Sequence, residues 1–331
     1  MKVMVLEEPR PIEEQPLRLF DVEIPEPGNG EVRLIVKACG VCRTDLHICE
    51  GDLKPHKLPV VPGHQVVGIV EELGPGVDQV AVGQRVGLTW LYRTCGRCKH
   101  CQAGKENLCV EARFTGYDED GGFAEYVVAD ANFIYPLPGR YADAEAAPLL
   151  CAGVIGYQAY QATGLTRPSK LGLFGFGSSA HILIQVARHL GHDIYVVSRT
   201  KQELDLARRL GAFWTGGIDD DMGTLLDAAI VFAPSGELIV RALEKIGAGG
   251  RVVSAGIYAS PLPGFDYPHI WPEKCLTSVS HTSRDSVRAF LKTATDFKIQ
   301  LEINECRLED VNQALHNIKN SKIPGSTVLI I

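Results

Sequence analysis

Nowhere in this chain of 331 residues do apolar residues run on for the roughly 20 positions that a bilayer-spanning helix needs. A membrane protein of the helical kind is therefore not expected. The opening MKVMVLEEPRPIEEQ has no apolar signal core, so the expected location is the cytoplasm. Basic charge is not in surplus: 33 Lys and Arg against 40 Asp and Glu leave a net charge of −7, which argues against nucleic acid as a partner. There is no internal repeat, no low-complexity tract and no long run of like charge. What remains is ordinary globular composition, 45% apolar and 22% charged. At this length one hydrophobic core is seldom enough, so two domains are expected.

Cysteine is not scarce: there are ten. Without a signal segment, reduced thiols are expected rather than disulfides. Four of them cluster as Cys95-Gly96-Arg97-Cys98-Lys99-His100-Cys101, then seven residues, then Cys109. Four thiolates make a soft, tetrahedral site with no open position, which suits zinc in a structural role. An iron–sulfur cluster is the rival, but its run places the fourth Cys after three residues and before Pro. Here Val110 follows the fourth Cys, so spacing and ligand type favour zinc. The lobe, residues 91–112, is locally basic at Arg97, Lys99 and His100. It lacks a following recognition helix, which argues against a nucleic-acid module.

The texture changes along the chain. The first third is rich in Gly and Pro, with short β-type runs at Glu31–Lys37, Val66–Val70 and Tyr126–Val128 divided by turn signals. That predicts a mostly β domain. After about residue 152, strands and helices alternate: a strand into Gly175, a helix over 179–190, a strand at Asp193–Ser198, a helix over 202–210, and strands at 228–232, 251–257 and 276–280. Alternation of this kind predicts a doubly wound parallel sheet, so the fold class is α/β. A helix over 286–295 and a last strand at 326–331 are expected to return to the first domain. The expected boundaries are 1–151 with 285–331, and 152–284.

Gly175-Phe176-Gly177-Ser178-Ser179-Ala180 lies where a strand meets a helix. The first glycine permits a tight turn, and the second lets backbone approach a pyrophosphate at the helix N-terminus. Ala180 takes the third position. In this context the motif predicts dinucleotide binding. The next strand ends Val197-Ser198-Arg199-Thr200, with no acid to bond the ribose hydroxyls. Arg199 with Ser198 and Thr200 suits a 2′-phosphate, so NADP(H) is favoured and NAD(H) remains open.

Three more segments complete a pattern: Cys42-Arg43-Thr44-Asp45-Leu46-His47, Gly63-His64-Gln65, and Cys151-Ala152-Gly153. With the four-Cys lobe and the Gly-rich turn, they stand in the order and approximate spacing of one family. Over essentially its full length the chain resembles the zinc-dependent medium-chain alcohol dehydrogenases. The resemblance implies a GroES-like catalytic domain beside a Rossmann cofactor domain, and two zinc ions per subunit. The catalytic zinc would be held by Cys42, His64 and Cys151, leaving a fourth position open, as catalysis requires. Asp45 would bond the other nitrogen of His64 and fix its tautomer. Thr44 would receive the alcohol proton and pass it through the cofactor ribose to His47, an imidazole suited to the task near neutral pH. Arg43 would pair with the pyrophosphate.

The implied reaction is reversible hydride transfer between an alcohol and NAD(P), with zinc as Lewis acid and an aldehyde or ketone on the other side. Trp90 and Leu53 would line the substrate pocket. Leu53 stands where small-alcohol relatives carry an aromatic, which leans toward bulkier substrates. Gln65 replaces a Glu usual in the family, which removes one negative charge near the metal. Cys39, Cys49, Cys275 and Cys306 match no ligand position. The alternative is a non-catalytic or regulatory NAD(P)-binding zinc protein of the same fold, which loss of ligands would signal, yet all seven are present. A homodimer or homotetramer is implied by analogy, with 267–272 near the contact.

Overall fold

The computed structural model describes every residue except 321–324. The chain divides into two compact units, Met1–Cys151 with His281–Ile331, and Ala152–Ser280. The return to the first unit falls at His281, four residues before the expected 285. The reason is local. Thr282 is buried, Ser283 caps the helix Arg284–Asp296, and the Arg284 backbone N–H donates to Glu106 Oε1 at 2.7 Å. Those bonds bind the segment to the first unit before the helix begins.

Among the described residues of the first unit, seven strands form one sheet. Six run in the order Ile303–Arg307, Ser326–Ile330, Glu31–Val41, Gln65–Leu73, Arg85–Leu88 and Ile134–Pro136, while Tyr126–Asp130 also pairs with Glu31–Val41. Only the first pair is parallel. Along Glu31–Val41 burial alternates up to Ala38, as expected for a strand with one face on the core, and then stays complete to Val41. The change marks where the strand runs into the site.

Strand register brings two candidate ligands together. Gly40 lies opposite Gln65, so the residues just beyond each strand end, Cys42 and His64, stand side by side. Gly40 has no room for a side chain: a Cβ there would lie 2.8 Å from Gln65 Oε1. The chain enters His64 through Gly63, whose φ is 98° and whose Cβ would lie 2.5 Å from the Phe123 ring. Both demands, left-handed backbone and close approach, call for glycine.

The second unit holds six parallel strands in the order Trp214–Gly216, Asp193–Val197, Lys170–Phe174, Leu226–Val231, Ile246–Ser254 and Cys275–Ser278. In chain order this reads 3-2-1-4-5-6, the doubly wound dinucleotide topology, with its switch point beside Lys170–Phe174. The three-residue strand Trp214–Gly216 is too short to carry a readable pattern of its own, and the sequence does not predict it. Helices Ser178–His189 and Lys201–Arg209 fall within a residue of the expected spans. Among the described residues no helix is long and apolar enough to cross a membrane.

Gly63→Ala should cost about 2 kcal/mol or more, because it adds strain at positive φ and a clash with a buried ring. A urea midpoint for this variant equal to that of the parent would contradict the account of the His64 turn.

Candidate functional site

Cys42 follows the strand Glu31–Val41 and caps the helix Arg43–Glu50. Its Sγ accepts the Thr44 backbone N–H at 3.3 Å, an interaction that suits a thiolate. Asp45, one turn into that helix, accepts the Cys42 N–H on Oδ2 at 2.8 Å and the His64 Nδ1–H on Oδ1 at 3.0 Å. The carboxylate is fully buried, and so is the imidazole. An ionised carboxylate only accepts, so His64 carries its proton on Nδ1 and turns the Nε2 lone pair the other way. That nitrogen lies 3.5 Å from Cys42 Sγ. Cys151, between the turn Ala147–Leu150 and the helix Ala152–Ala162, completes the group. The three ligand atoms of Cys42, His64 and Cys151 all lie within 4.8 Å of one another.

The donor set fits zinc. At ordinary Zn–S and Zn–N bond lengths, tetrahedral geometry separates a sulfur and a nitrogen by about 3.6 Å. Titration behaviour points the same way. A hydrogen bond from Cys151 pulls Cys42 well below the ordinary thiol range, against burial and with help from His64. The same bond, with burial, pushes Cys151 up. Burial opposes charge on His64, yet Asp45 and Cys42 lift it to about 10, so a metal at Nε2 would displace a proton. Burial raises the Asp45 carboxyl, and His64 pulls it back. So much negative charge in one dry place calls for a cation, and a divalent one accepts both thiolates at once.

The lobe holds the other set. Cys95, Cys98, Cys101 and Cys109 bring four sulfurs within 4.8 Å of one another. The separations are 3.5 Å for Cys109–Cys95, 3.6 Å for Cys98–Cys101 and 4.0 Å for Cys95–Cys101. A zinc–thiolate tetrahedron has edges of about 3.8 Å. Four sulfurs fill that tetrahedron, so this set fits a structural ion.

Thr44 and His47 are three apart on the helix Arg43–Glu50, hence on one face. His47 Nδ1 donates to Asp52 Oδ2 at 2.8 Å. The sequence does not single out Asp52, because its role depends on a turn that closes over His47. Arg43 is exposed. Gln65 is buried beside His64, where an amide adds no charge to a crowded anionic site. Leu53 is half-buried against the core of the first unit, and Trp90 is buried with its ring edge-on to His64, centroids 5.1 Å apart. Cys39 and Cys49 belong to neither set; both are buried, and burial holds their thiols up.

In the second unit Gly175 has φ 87°, and a Cβ there would lie 3.0 Å from Ala233 N. Gly177 is different. A Cβ there would meet nothing within 4 Å, so the space ahead of the helix Ser178–His189 is open for a phosphate. Ser178 and Ser179 begin the first turn, and Ala180 is buried. These features fit a dinucleotide. At the end of Asp193–Val197 the Ser198 hydroxyl donates to Glu203, and Thr200 Oγ1 caps the helix Lys201–Arg209. Arg199 is exposed. Glu203 therefore brings a carboxylate to the place where the sequence has no acid. Its position one turn into the next helix hides that from a reading of the strand end alone.

Asp45→Asn should lower zinc affinity about 10- to 100-fold, since it removes the charge and turns one of the two accepting oxygens into a donor. Competition against a chromogenic chelator measures it, and unchanged affinity would count against the role given to Asp45.

Comparison with known proteins agrees with this geometry. The Alcohol dehydrogenase GroES-like domain matches residues 28–139. The chain is 42% identical over 337 residues to the probable alcohol dehydrogenase AdhA of Mycobacterium tuberculosis, covering all of this chain and 97% of that one. It is 36% identical to an alcohol dehydrogenase of Geobacillus stearothermophilus, with 99% of each chain covered. Among solved structures, a cobalt- and zinc-bound thermostable alcohol dehydrogenase from Pyrobaculum aerophilum superposes with a TM-score of 0.90 at 25% identity, covering 100% of this chain and 99% of that one. With a full-length relative at that identity, and the two cysteine sets and the doubly wound sheet in place, the chain belongs to the medium-chain zinc alcohol dehydrogenase family.

Proposed function

We propose that this protein is an alcohol dehydrogenase that interconverts an alcohol and its aldehyde or ketone by reversible hydride transfer with a nicotinamide dinucleotide. The observation that carries the reading is the three-donor set Cys42, His64 and Cys151, backed by the buried Asp45. Three protein ligands leave a position for substrate, whereas the four-Cys set leaves none. When bound, zinc supplies Lewis acidity at that position, and the nicotinamide supplies or takes the hydride.

The protein's own groups hold and move the proton. The Thr44 hydroxyl stands two residues past Cys42 and takes the alcohol proton. His47 receives it, its ring held by the Nδ1 bond to Asp52 at 2.8 Å. Asp45 keeps Nε2 of His64 facing the metal set and Cys42 at the helix cap. Cys95, Cys98, Cys101 and Cys109 hold a second, structural zinc. Gly175, Gly177 and the first turn Ser178–Ala180 take the pyrophosphate, with Arg43 as its cationic partner. A homodimer or homotetramer is supported by Tyr267 and Trp271, each 68% exposed just ahead of the edge strand Cys275–Ser278.

Cys42→Ser should lose most of its turnover and bind about one zinc fewer per chain, because a neutral hydroxyl is a poor substitute for thiolate. Near-normal turnover in that variant would contradict the assignment. For the cofactor, Ser198, Arg199 and Thr200 favour NADP(H), while Glu203 opposes it. Glu203→Gln removes that repulsion and should lower KM for NADP relative to NAD by about ten-fold. A ratio that stays fixed would show that Glu203 faces away from the 2′ position.

A further inference from the structure

Trp90 is not packed as an isolated core aromatic. Its indole N–H donates to Nδ1 of His281 at 2.9 Å, across 191 residues of sequence and within the same unit. Both rings pack on Phe114: the Trp90–Phe114 centroids are 5.0 Å apart at 19°, and Phe114–His281 are 4.5 Å apart at 30°. Tyr117 extends the surface, 5.8 Å from Trp90. This aromatic wall meets the metal set directly, because Trp90 stands edge-on to His64 at 5.1 Å and 80°.

His281 is held in place from both sides. Its φ is 55°, left-handed backbone where glycine or asparagine would sit with less strain. A histidine kept there points to a use for its side chain. Three residues on, Arg284 is clamped by Glu106 of the four-Cys lobe. The backbone N donates at 2.7 Å, Nε at 3.0 Å to each oxygen, and Nη2 at 2.7 Å. The lobe thereby fixes the segment that presents His281.

We propose that His281 is a positioning residue for substrate specificity: it holds the Trp90 indole against His64, and the resulting wall selects alcohols bearing a flat aromatic ring over small aliphatic ones. This rests on the reading of Cys42, His64 and Cys151 as the alcohol site. A planar ring gains offset or edge contacts along such a wall, and ethanol is too short to use them. An unheld indole could turn away from His64 and leave the wall broken beside the metal set.

The test measures kcat and KM for benzyl alcohol and ethanol on the zinc- and cofactor-loaded enzyme, in wild type, His281→Ala and His281→Asn. Asparagine keeps an acceptor for the indole N–H and tolerates left-handed backbone. The alanine variant should raise KM for benzyl alcohol about ten-fold relative to ethanol, with kcat for both moving less, and asparagine should restore most of the difference. Calorimetric titration of benzyl alcohol should show the same loss and recovery in binding. Should the alanine variant fail to fold, Trp90→Phe removes the donor at the other end and should shift selectivity in the same direction. Equal selectivity in wild type and these variants, with wild type active, overturns the role of His281. A wild-type protein that turns over neither alcohol overturns instead the reading on which that role rests.

Discussion

The Asp45 carboxylate, fully buried, uses one oxygen for the Cys42 backbone N–H and the other for His64 Nδ1. Burying a charge costs several kcal/mol unless its hydrogen bonds are made and a counter-charge is near. Both bonds are made here, and a metal held by Cys42 and His64 would supply the positive charge. In return the helix Arg43–Glu50 is tied to the turn at His64 by a group that neither element could satisfy alone. Removing the carboxylate would free the helix cap, the imidazole tautomer and the approach of two metal ligands together. The strand register with Gly40 opposite Gln65 brings the ligands near, and Asp45 aims them.

Two cysteine sets divide the labour by ligand count. Cys95, Cys98, Cys101 and Cys109 fill a tetrahedron from one short stretch of chain, so a metal there orders a lobe. Through Glu106 that order passes to Arg284 and the segment around His281. Cys42, His64 and Cys151 come from three separate places in the chain and leave a position open. On the proposed reading, the lobe shapes the wall beside the site while the three-ligand set performs the chemistry. Gln65, buried next to His64, keeps one more negative charge away from the open position.

The four-Cys spacing, the Gly-rich turn and the alternation of strands and helices are local patterns, which is why they are legible in the sequence. Cys42, His64 and Cys151 share no local motif, and only resemblance to a family joins them. Pairings between distant or unremarkable residues stay hidden: Trp90 with His281, Glu106 with Arg284, His47 with Asp52, and Ser198 with Glu203. A lone histidine in Ser280-His281-Thr282 carries no signal until the chain returns to the first unit. Glu203 lies on the first turn of a helix, where an acid is expected merely to favour the dipole. The boundary at His281 escapes a reading of regular elements for the same reason, since side-chain bonds draw the segment in before any such element starts.

Metal removal with three readings in parallel tests the central claim most directly. Zinc per chain, alcohol-dependent reduction of the cofactor and the thermal unfolding midpoint are recorded as a chelator is raised. Two zinc ions per chain are expected at the start. Loss of the ion at Cys42, His64 and Cys151 should abolish turnover while most of the thermal stability remains, and zinc should restore activity. Full turnover in a protein emptied of that ion, or a single tightly held zinc in the fully active enzyme, would contradict it.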